Sequence, residues 1–449
     1  MRKFPFFLLL LTVGSLAAQP RFNGFLQNWT AYNLNDDKAV FLLRNRFRLN
    51  TTLPGDWVRG YASLDFNDER QTAEPYREFN LRELYFDLFF ERFDLRIGKQ
   101  QVIWGKADGV FINDIVNPLD LRYFLMQDFD DIRQGSLMIK GRAFAGNWGV
   151  ECLFIPKFEP WKFAEAGSPW EFYRPAQMLV PFEPQPGTQM TLPVAFQWGA
   201  AQLPEATGGN GELGIKISGF ALGTDISLLY LNSYQDNPVA NIDSINMQID
   251  FIGGNPVPQG GDLYLTPYYR RTTMYGFNFS RPIGGLIIRG EVGFFDDYNF
   301  NLQPAFSLDL LALILSGNPP VFDNLVTSDY LQAMVGVDVS GPWGSSLSGQ
   351  YIRKQVLDYD PAMLNSAETE EWLTLMISGT FWNEEASLRW LTLYDKNTES
   401  GLSRLTFGYK LADAVLLETG IDILWGEQDS FIGQFSGNDN AYLKLIYSF

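Results

Sequence analysis

The sequence contains no histidine and one cysteine, Cys152. The first absence removes serine–histidine–aspartate and cysteine–histidine nucleophiles, along with histidine-ligated metals. The second precludes an intramolecular disulfide, so stability must come from burial and backbone pairing. On these grounds the chain is expected not to be an enzyme and to carry no cofactor. Long apolar runs are also scarce. Beyond the first twenty residues none reaches the roughly 18 residues of a membrane helix, and the best candidate, LDLLALILSG at 308–317, is too short. Positive charge is in deficit, with 34 Lys and Arg against 52 Asp and Glu and a formal net charge of −18. No nucleic-acid partner is expected, because phosphate binding needs a clustered basic surface.

The chain opens MRKFPFFLLLLTVGSLAAQP. Two basic residues, an apolar run and small residues at Ser15, Ala17 and Ala18 are the layout of a secretory signal peptide, expected over residues 1–18. No cysteine stands directly after the cut, so no lipoprotein anchor is expected. From there to Phe449, period-two alternation of apolar and polar residues recurs, the signature of β-strands whose successive side chains point to opposite faces. Eighteen segments read this way, near 22–33, 38–51, 57–67, 80–90, 94–103, 135–144, 148–156, 211–221, 224–234, 267–280, 285–298, 328–339, 345–356, 371–381, 386–395, 402–411, 414–425 and 440–449. Sixteen to twenty remain compatible with the pattern.

The connections alternate in length. LPGD, ERFD, AGN and WNEE are short; 104–134, 157–210, 235–266 and 299–327 are long. A soluble sandwich has no reason to sort its loops by parity, whereas an outer-membrane barrel pairs short periplasmic turns with long extracellular loops. The fold class expected is therefore all-β, a transmembrane antiparallel up-and-down β-barrel of about eighteen strands, forming one domain over 19–449. Trp57, Phe90, Phe93, Trp148, Trp343 and Trp382 sit at or beside short turns, like an interfacial girdle. The last segment, AYLKLIYSF, places Leu443, Leu445, Tyr447 and Phe449 on one apolar row. That row is similar to the carboxy-terminal signal strand that barrels present to their assembly machinery, which makes this machinery an expected partner through Phe449.

The stretch LRIGKQQVIWGKADGVFINDIVNPLDLR, residues 95–122, resembles a family of porin-like Gram-negative outer-membrane proteins of uncharacterised function. The resemblance lies in Arg96, Gly98, Lys99 and Gln100, then Trp104 and Gly105, then Asn117, Pro118 and Asp120. It is similar more remotely to alginate-export and phosphate-selective porins, which share the Gly-basic-Gln element. What it implies is a porin-type barrel in the outer membrane; it names no solute. The loop carrying Trp104 to Asp120 would either fold inward and narrow a pore or brace the rim.

With each apolar row assigned to lipid, the opposite rows line a lumen. The segment FLLRNRFRLN points Arg44, Arg46 and Arg48 inward, with Arg59, Asp65, Glu83, Asp87 and Arg96 on neighbouring strands. An arginine ladder either favours a passing anion or pairs with adjacent carboxylates. Lys99 departs from its strand's alternation, which a bulge there or an end of the strand above the bilayer would resolve. Asn45 is a polar residue on the outward row, and Cys152 lies on that row with Val150 and Phe154. Asp128, Asp130 and Asp131 are weak candidates for a metal, since their spacing fits no defined loop motif.

The function expected is a porin-like channel for small polar solutes, with anionic ones among the candidates. The alternatives are a transporter of hydrophobic or amphipathic molecules with 308–320 as capture site, and a surface receptor or adhesin displaying its long loops. Outer-membrane lipid, lipopolysaccharide, a small-molecule solute and a homotrimeric partner are the remaining associations expected.

Overall fold

The computed structural model describes residues 19–35, 40–70, 76–174, 176–185, 188–304, 308–317, 322, 324–342 and 344–449. The expected leader at 1–18 and Trp343 lie outside them. Eighteen strands pair antiparallel, each with its sequence neighbour in the wall. They are β1 (Arg21–Asn33), β2 (Val40–Leu53), β3 (Val58–Glu69), β4 (Tyr76–Phe89) and β5 (Phe93–Gln100), then Ser136–Ala145, Trp148–Ile155, Glu212–Ala221, Thr224–Tyr234, Arg271–Ile283, Leu286–Asn301, Leu325–Ser340, Ser346–Val356, Thr369–Phe381, Ala386–Asp395, Ser400–Ala412, Val415–Trp425 and Asn440–Ser448. Each coincides with one of the eighteen segments read from the sequence.

The sheet closes where β1 pairs with the last strand, in the register Asn28 to Leu445. At that seam Gly24 N–H donates to Phe449 O and Phe449 N–H to Gly24 O, both at 3.0 Å, and Phe449 stacks on Phe47 with ring centroids 6.0 Å apart. A Cβ at residue 24 would lie 2.0 Å from the carbonyl oxygen of Arg48, so only glycine permits this approach. Closure leaves no unpaired strand edge in the wall.

The side chains alternate as the pattern demands. On β2 Arg44 and Arg46 are buried while Phe47 is exposed, and Leu228, Tyr275, Val335, Leu405 and Leu443 are exposed on other outward rows. Cys152 is free and exposed beside outward Val150. Asn45 does not stand alone on its row: Asn28 Nδ2 donates to Asn45 Oδ1 at 2.9 Å, and Thr30 Oγ1 donates to Asn28 Oδ1 at 3.0 Å. Cross-strand pairing of amides thus lowers the cost of an outward polar residue. Trp57, Phe90, Phe93, Trp148 and Trp382 are all exposed at the short-turn end.

Two of the long loops carry structure that the sequence reading left irregular. Hairpins from 157–210 and 235–266 join in a four-stranded sheet of Gln177–Gln185, Thr188–Trp198, Val239–Ile252 and Asn255–Tyr268. A helix, Leu308–Leu315, buries Leu311 against Val180, Phe182, Leu192, Val194 and Leu263 of that sheet. The apolar run at 308–320 is thereby partly consumed in packing, with Leu313 and Leu315 exposed and 318–320 outside the described residues.

A loop folded through the lumen as candidate functional site

The wall presents its charge in pairs. Arg46 donates to Asp65 at 2.6 Å, Arg48 to Asp65 at 2.7 Å, Arg96 to Asp87 at 2.6 Å and Arg404 to Asp422 at 2.6 Å, and the Lys444 ammonium lies 2.9 Å from the Glu418 carboxylate. Each pair joins adjacent strands, Arg46 reaching Asp65 diagonally and the others meeting across one rung of the ladder. β4 contains a bulge: Ser63 pairs with Glu83 and Leu64 with Leu81, leaving Arg82 as the extra residue. The bulge turns Arg82 inward, where its guanidinium lies 3.7 Å from Asp65.

The segment after β5, residues 101–135, folds into the barrel. Its neck is tied by Asn117, whose Oδ1 accepts Val102 N–H at 2.6 Å while its Nδ2 donates to Gln100 O and Ser136 Oγ, each at 3.2 Å. Trp104 is almost fully buried; its indole donates to Glu151 at 2.8 Å and its backbone N–H to Asp114 at 3.1 Å. Gly105 is required there, because a Cβ would meet that of Asp114 at 2.7 Å. The chain then wraps around Glu291, which accepts the backbone N–H groups of Lys106, Ala107 and Asn113 at 2.6, 3.0 and 2.5 Å. Three convergent amides satisfy a buried carboxylate without a cation. Asn113 Nδ2 donates to Asn278 Oδ1 at 2.7 Å, and Asp108 accepts from Gln350 at 2.9 Å and pairs with Arg289.

The segment returns along the opposite side. Tyr123 donates its hydroxyl to Glu69, Arg122 reaches Glu78 at 3.0 Å, and Arg44 donates to Gln127 at 3.0 Å. Leu125 O accepts from Arg404 at 3.2 Å. Leu119, Leu121, Phe124, Met126 and Ile132 pack with inward Trp29, Leu42, Leu391, Leu402, Leu424 and Tyr442 of the wall, beneath Trp170 and Phe435 from other loops. A second apolar cluster sets Trp104 and Val116 against Met138, Leu153, Leu229, Leu231 and Met274 across the barrel. Besides the two strands that it joins, the loop is thereby hydrogen-bonded to at least nine wall strands spread around the circumference, which are β2, β3, β4 and those holding Glu151, Asn278, Glu291, Gln350, Arg389 and Arg404.

The residues singled out from the sequence fall as follows. Arg44, Arg46, Arg48, Asp65, Glu83, Asp87 and Arg96 face inward, and Glu83 accepts Gln101 N–H at 2.9 Å. Arg59 is exposed near the short-turn end, 5.2 Å from the Phe89 ring. Trp104, Gly105, Asn117, Pro118 and Asp120 all belong to the inward segment: Pro118 O accepts Gln134 N–H at 2.9 Å and Asp120 binds Arg122 at 2.6 Å. Lys99 is half-buried; the registers of its strand with both neighbours run through it without a bulge, and it stands one residue before the strand's end at Gln100. Asp128, Asp130 and Asp131 do not converge. Asp128 lies 3.5 Å from Arg389 and Asp130 3.6 Å from Arg133, while Asp131 accepts from Arg46 at 2.5 Å and from Arg48 and Arg82 at 2.8 Å. Among the described residues no group of three or more acidic or cysteine side chains gathers as a metal site. Arg82, Asn113, Tyr123 and Gln127 escaped the sequence reading. Arg82 alone left a sign, since the apolar row shifts parity between Leu81 and Leu84.

None of the curated proteins matches the chain. Among solved structures, the crystal structure of Acinetobacter baumannii OccAB4 is similar over 97% of this chain and 99% of its own, at 9% identity and a TM-score of 0.50. A Salmonella typhi OmpF complex with daunomycin is similar over 96% and 98% at 8% identity and a TM-score of 0.44. A loop-deletion mutant of OmpT, an outer membrane protein of Vibrio cholerae, is similar over 96% and 100% at 12% identity and a TM-score of 0.41. The likeness to OccAB4 is one of fold. Residues 27–419, most of the barrel and the whole inward segment, match the family described as protein of unknown function DUF1302, and the chain belongs to that family.

Proposed function

We propose that this chain is a channel of the Gram-negative outer membrane, passing small polar solutes through a lumen that the 101–135 segment constricts. The observation that carries this reading is the sorting of the closed wall, with apolar rows outward and charged rungs inward. In water the outward rows would be costly at about 25 cal/mol per Å², whereas in hydrocarbon a barrel with every backbone amide paired is one of the two viable spanning forms. Transport would be diffusive and require no covalent chemistry. The loop is joined to the wall all round, so the arrangement is that of a constricted state, and its polar struts set how often it yields.

Liposome swelling with sugars and amino acids tests the reading. Vesicles holding the inserted protein should swell slowly, and faster when a strut of the segment is removed. If correctly inserted protein with an undocked segment supports neither swelling nor conductance, the channel reading fails.

A further inference from the structure

We infer that the lumen holds a receptor for organic carboxylates, with Asp131 seated in it as a resident substitute for the solute; this rests on the channel reading and names its class of solute. Three guanidinium groups converge on the Asp131 carboxylate. Arg46 holds Oδ2 at 2.5 Å, and Arg48 and Arg82 each hold Oδ1 at 2.8 Å. All three arginines belong to the wall, two on β2 and one at the β4 bulge. The wall positions Arg46 and Arg48 through Asp65, while Arg82 lies 3.7 Å from Asp65 and also donates to the loop carbonyl of Asp130 at 2.8 Å. Asp65 accepts from Arg46 and Arg48, and the Phe25 ring lies 5.5 and 5.0 Å from their guanidinium carbons. Arg46 and Asp65 are 4% and 2% exposed, so this part of the site is largely withdrawn from water.

Charge completes the argument. Three arginines against Asp65 and Asp131 leave one net positive charge, and without Asp131 they leave two. A cationic site this well ordered demands an anion wherever the loop withdraws. Planar guanidinium forks match the two oxygens of a carboxylate, and both Asp131 oxygens are in use. Asp131 is the third residue of the short helical turn Phe129–Ile132, so a solute carboxylate that takes its place must displace that turn from the wall. Solute binding and release of the constriction are then one linked equilibrium.

The test is titration calorimetry of the folded barrel in detergent with succinate as probe. D131N should bind succinate at least about ten-fold more tightly than the unaltered protein, D131N/R48Q should lose the gain, and uncharged succinamide should not bind. Binding by D131N no tighter than that of the unaltered protein, or equal binding of succinamide, overturns the inference. A second measurement does not depend on D131N folding. In C152S/D130C, labelled at the exposed position 130 with an environment-sensitive dye, succinate should shift the emission saturably where chloride at equal ionic strength does not; an unchanged emission refutes it. Planar bilayers separate this from the channel reading. D131N that conducts without binding succinate sinks the receptor alone, and D131N that binds without conducting sinks the channel alone.

Discussion

Replacing Glu291 with glutamine should release the amide turn that wraps it. Glu291 is 0% exposed and accepts three backbone N–H groups, from Asn113 on Oε1 and from Lys106 and Ala107 on Oε2. Glutamine keeps one of those oxygens and puts an NH2 in place of the other, so whichever way it turns, at least one N–H faces a donor. A hydrogen bond to a charged group contributes about 1.5–3 kcal/mol, and a stranded buried donor costs about 1–3 kcal/mol more. The carboxylate's own desolvation offsets part of this, which leaves about 3 kcal/mol. At 1.36 kcal/mol per decade the docked-to-undocked ratio of the segment falls roughly 100-fold. Amide hydrogen exchange reads this directly, because local opening sets the exchange rate. The amides of residues 106, 107 and 113 should exchange about 100-fold faster, while the wall amides of Val292 and Phe294 keep their protection. Conductance in planar bilayers should rise in parallel. Exchange of those three amides within about three-fold of the unaltered rate, in a barrel shown to be folded by its heat-dependent gel mobility, would refute the role given to Glu291.

Asn117→Ala removes three bonds at the neck and should cost about 2–4 kcal/mol of local stability; limited proteolysis should then cut within 101–135 at a much higher rate, and an unchanged rate would contradict the neck's role. Gly98→Ala adds a Cβ 2.1 Å from the carbonyl oxygen of Leu84 at a φ of +135, so the barrel should fail to assemble, and a normal yield of heat-modifiable protein would sink that expectation. Deleting Phe449 removes two backbone bonds and a ring stack at the seam, which should slow insertion into lipid vesicles and lower stability by about 1–3 kcal/mol. In the loop after Thr224–Tyr234, burial pushes the Asp236 carboxyl well above its ordinary range, with the charge of Glu212 adding to the effect. The folded loop then holds a proton that the unfolded chain gives up near the ordinary value, so stability present at acidic pH is lost as pH rises toward the raised value. Melting curves across pH should slope that way, and Asp236→Asn should flatten them.

The wall was legible in the sequence because one face of every strand meets an apolar medium and the other does not, which forces period two. The alternation of loop lengths followed from antiparallel pairing, which sends successive connections to opposite ends of the barrel. What stayed hidden depended on where polar groups far apart in sequence meet. Asn113 and Glu291 are 178 residues apart, and nothing local marks a carboxylate that will be wrapped by amides. The extra sheet was hidden for another reason: prolines at 181, 193, 256 and 258 read as loop, yet they lie in strands of a sheet outside the wall. One clue there was readable. Gly253 and Gly254, with φ of +62 and +85, form a two-residue hairpin turn, and the pair stands between alternating segments.

The arginine ladder carried more information than its alternation. Arg44, Arg46 and Arg48 lie on one row, and the β4 parity shift adds Arg82 to the same side, giving four like charges within a few rungs. The facing row of β3 supplies Ser63, Asp65, Asn67 and Glu69, with Glu69 directly opposite Arg44. Arg46, Arg48 and Arg82 all crowd Asp65, and three guanidinium groups cannot be withdrawn from water on that one carboxylate, so a further anion had to come from outside the wall. The acidic run DFDDIR, in the long loop that begins at the end of β5, stands within reach of that row. Weighing that run only as a metal candidate assigned each charge run to its own surroundings, when the electrostatics required the two runs to be considered together. That imbalance also keeps the site functional in prospect: an anion supplied by a loop is held by the same forces that would hold one supplied by the solution, and the two compete for a single place.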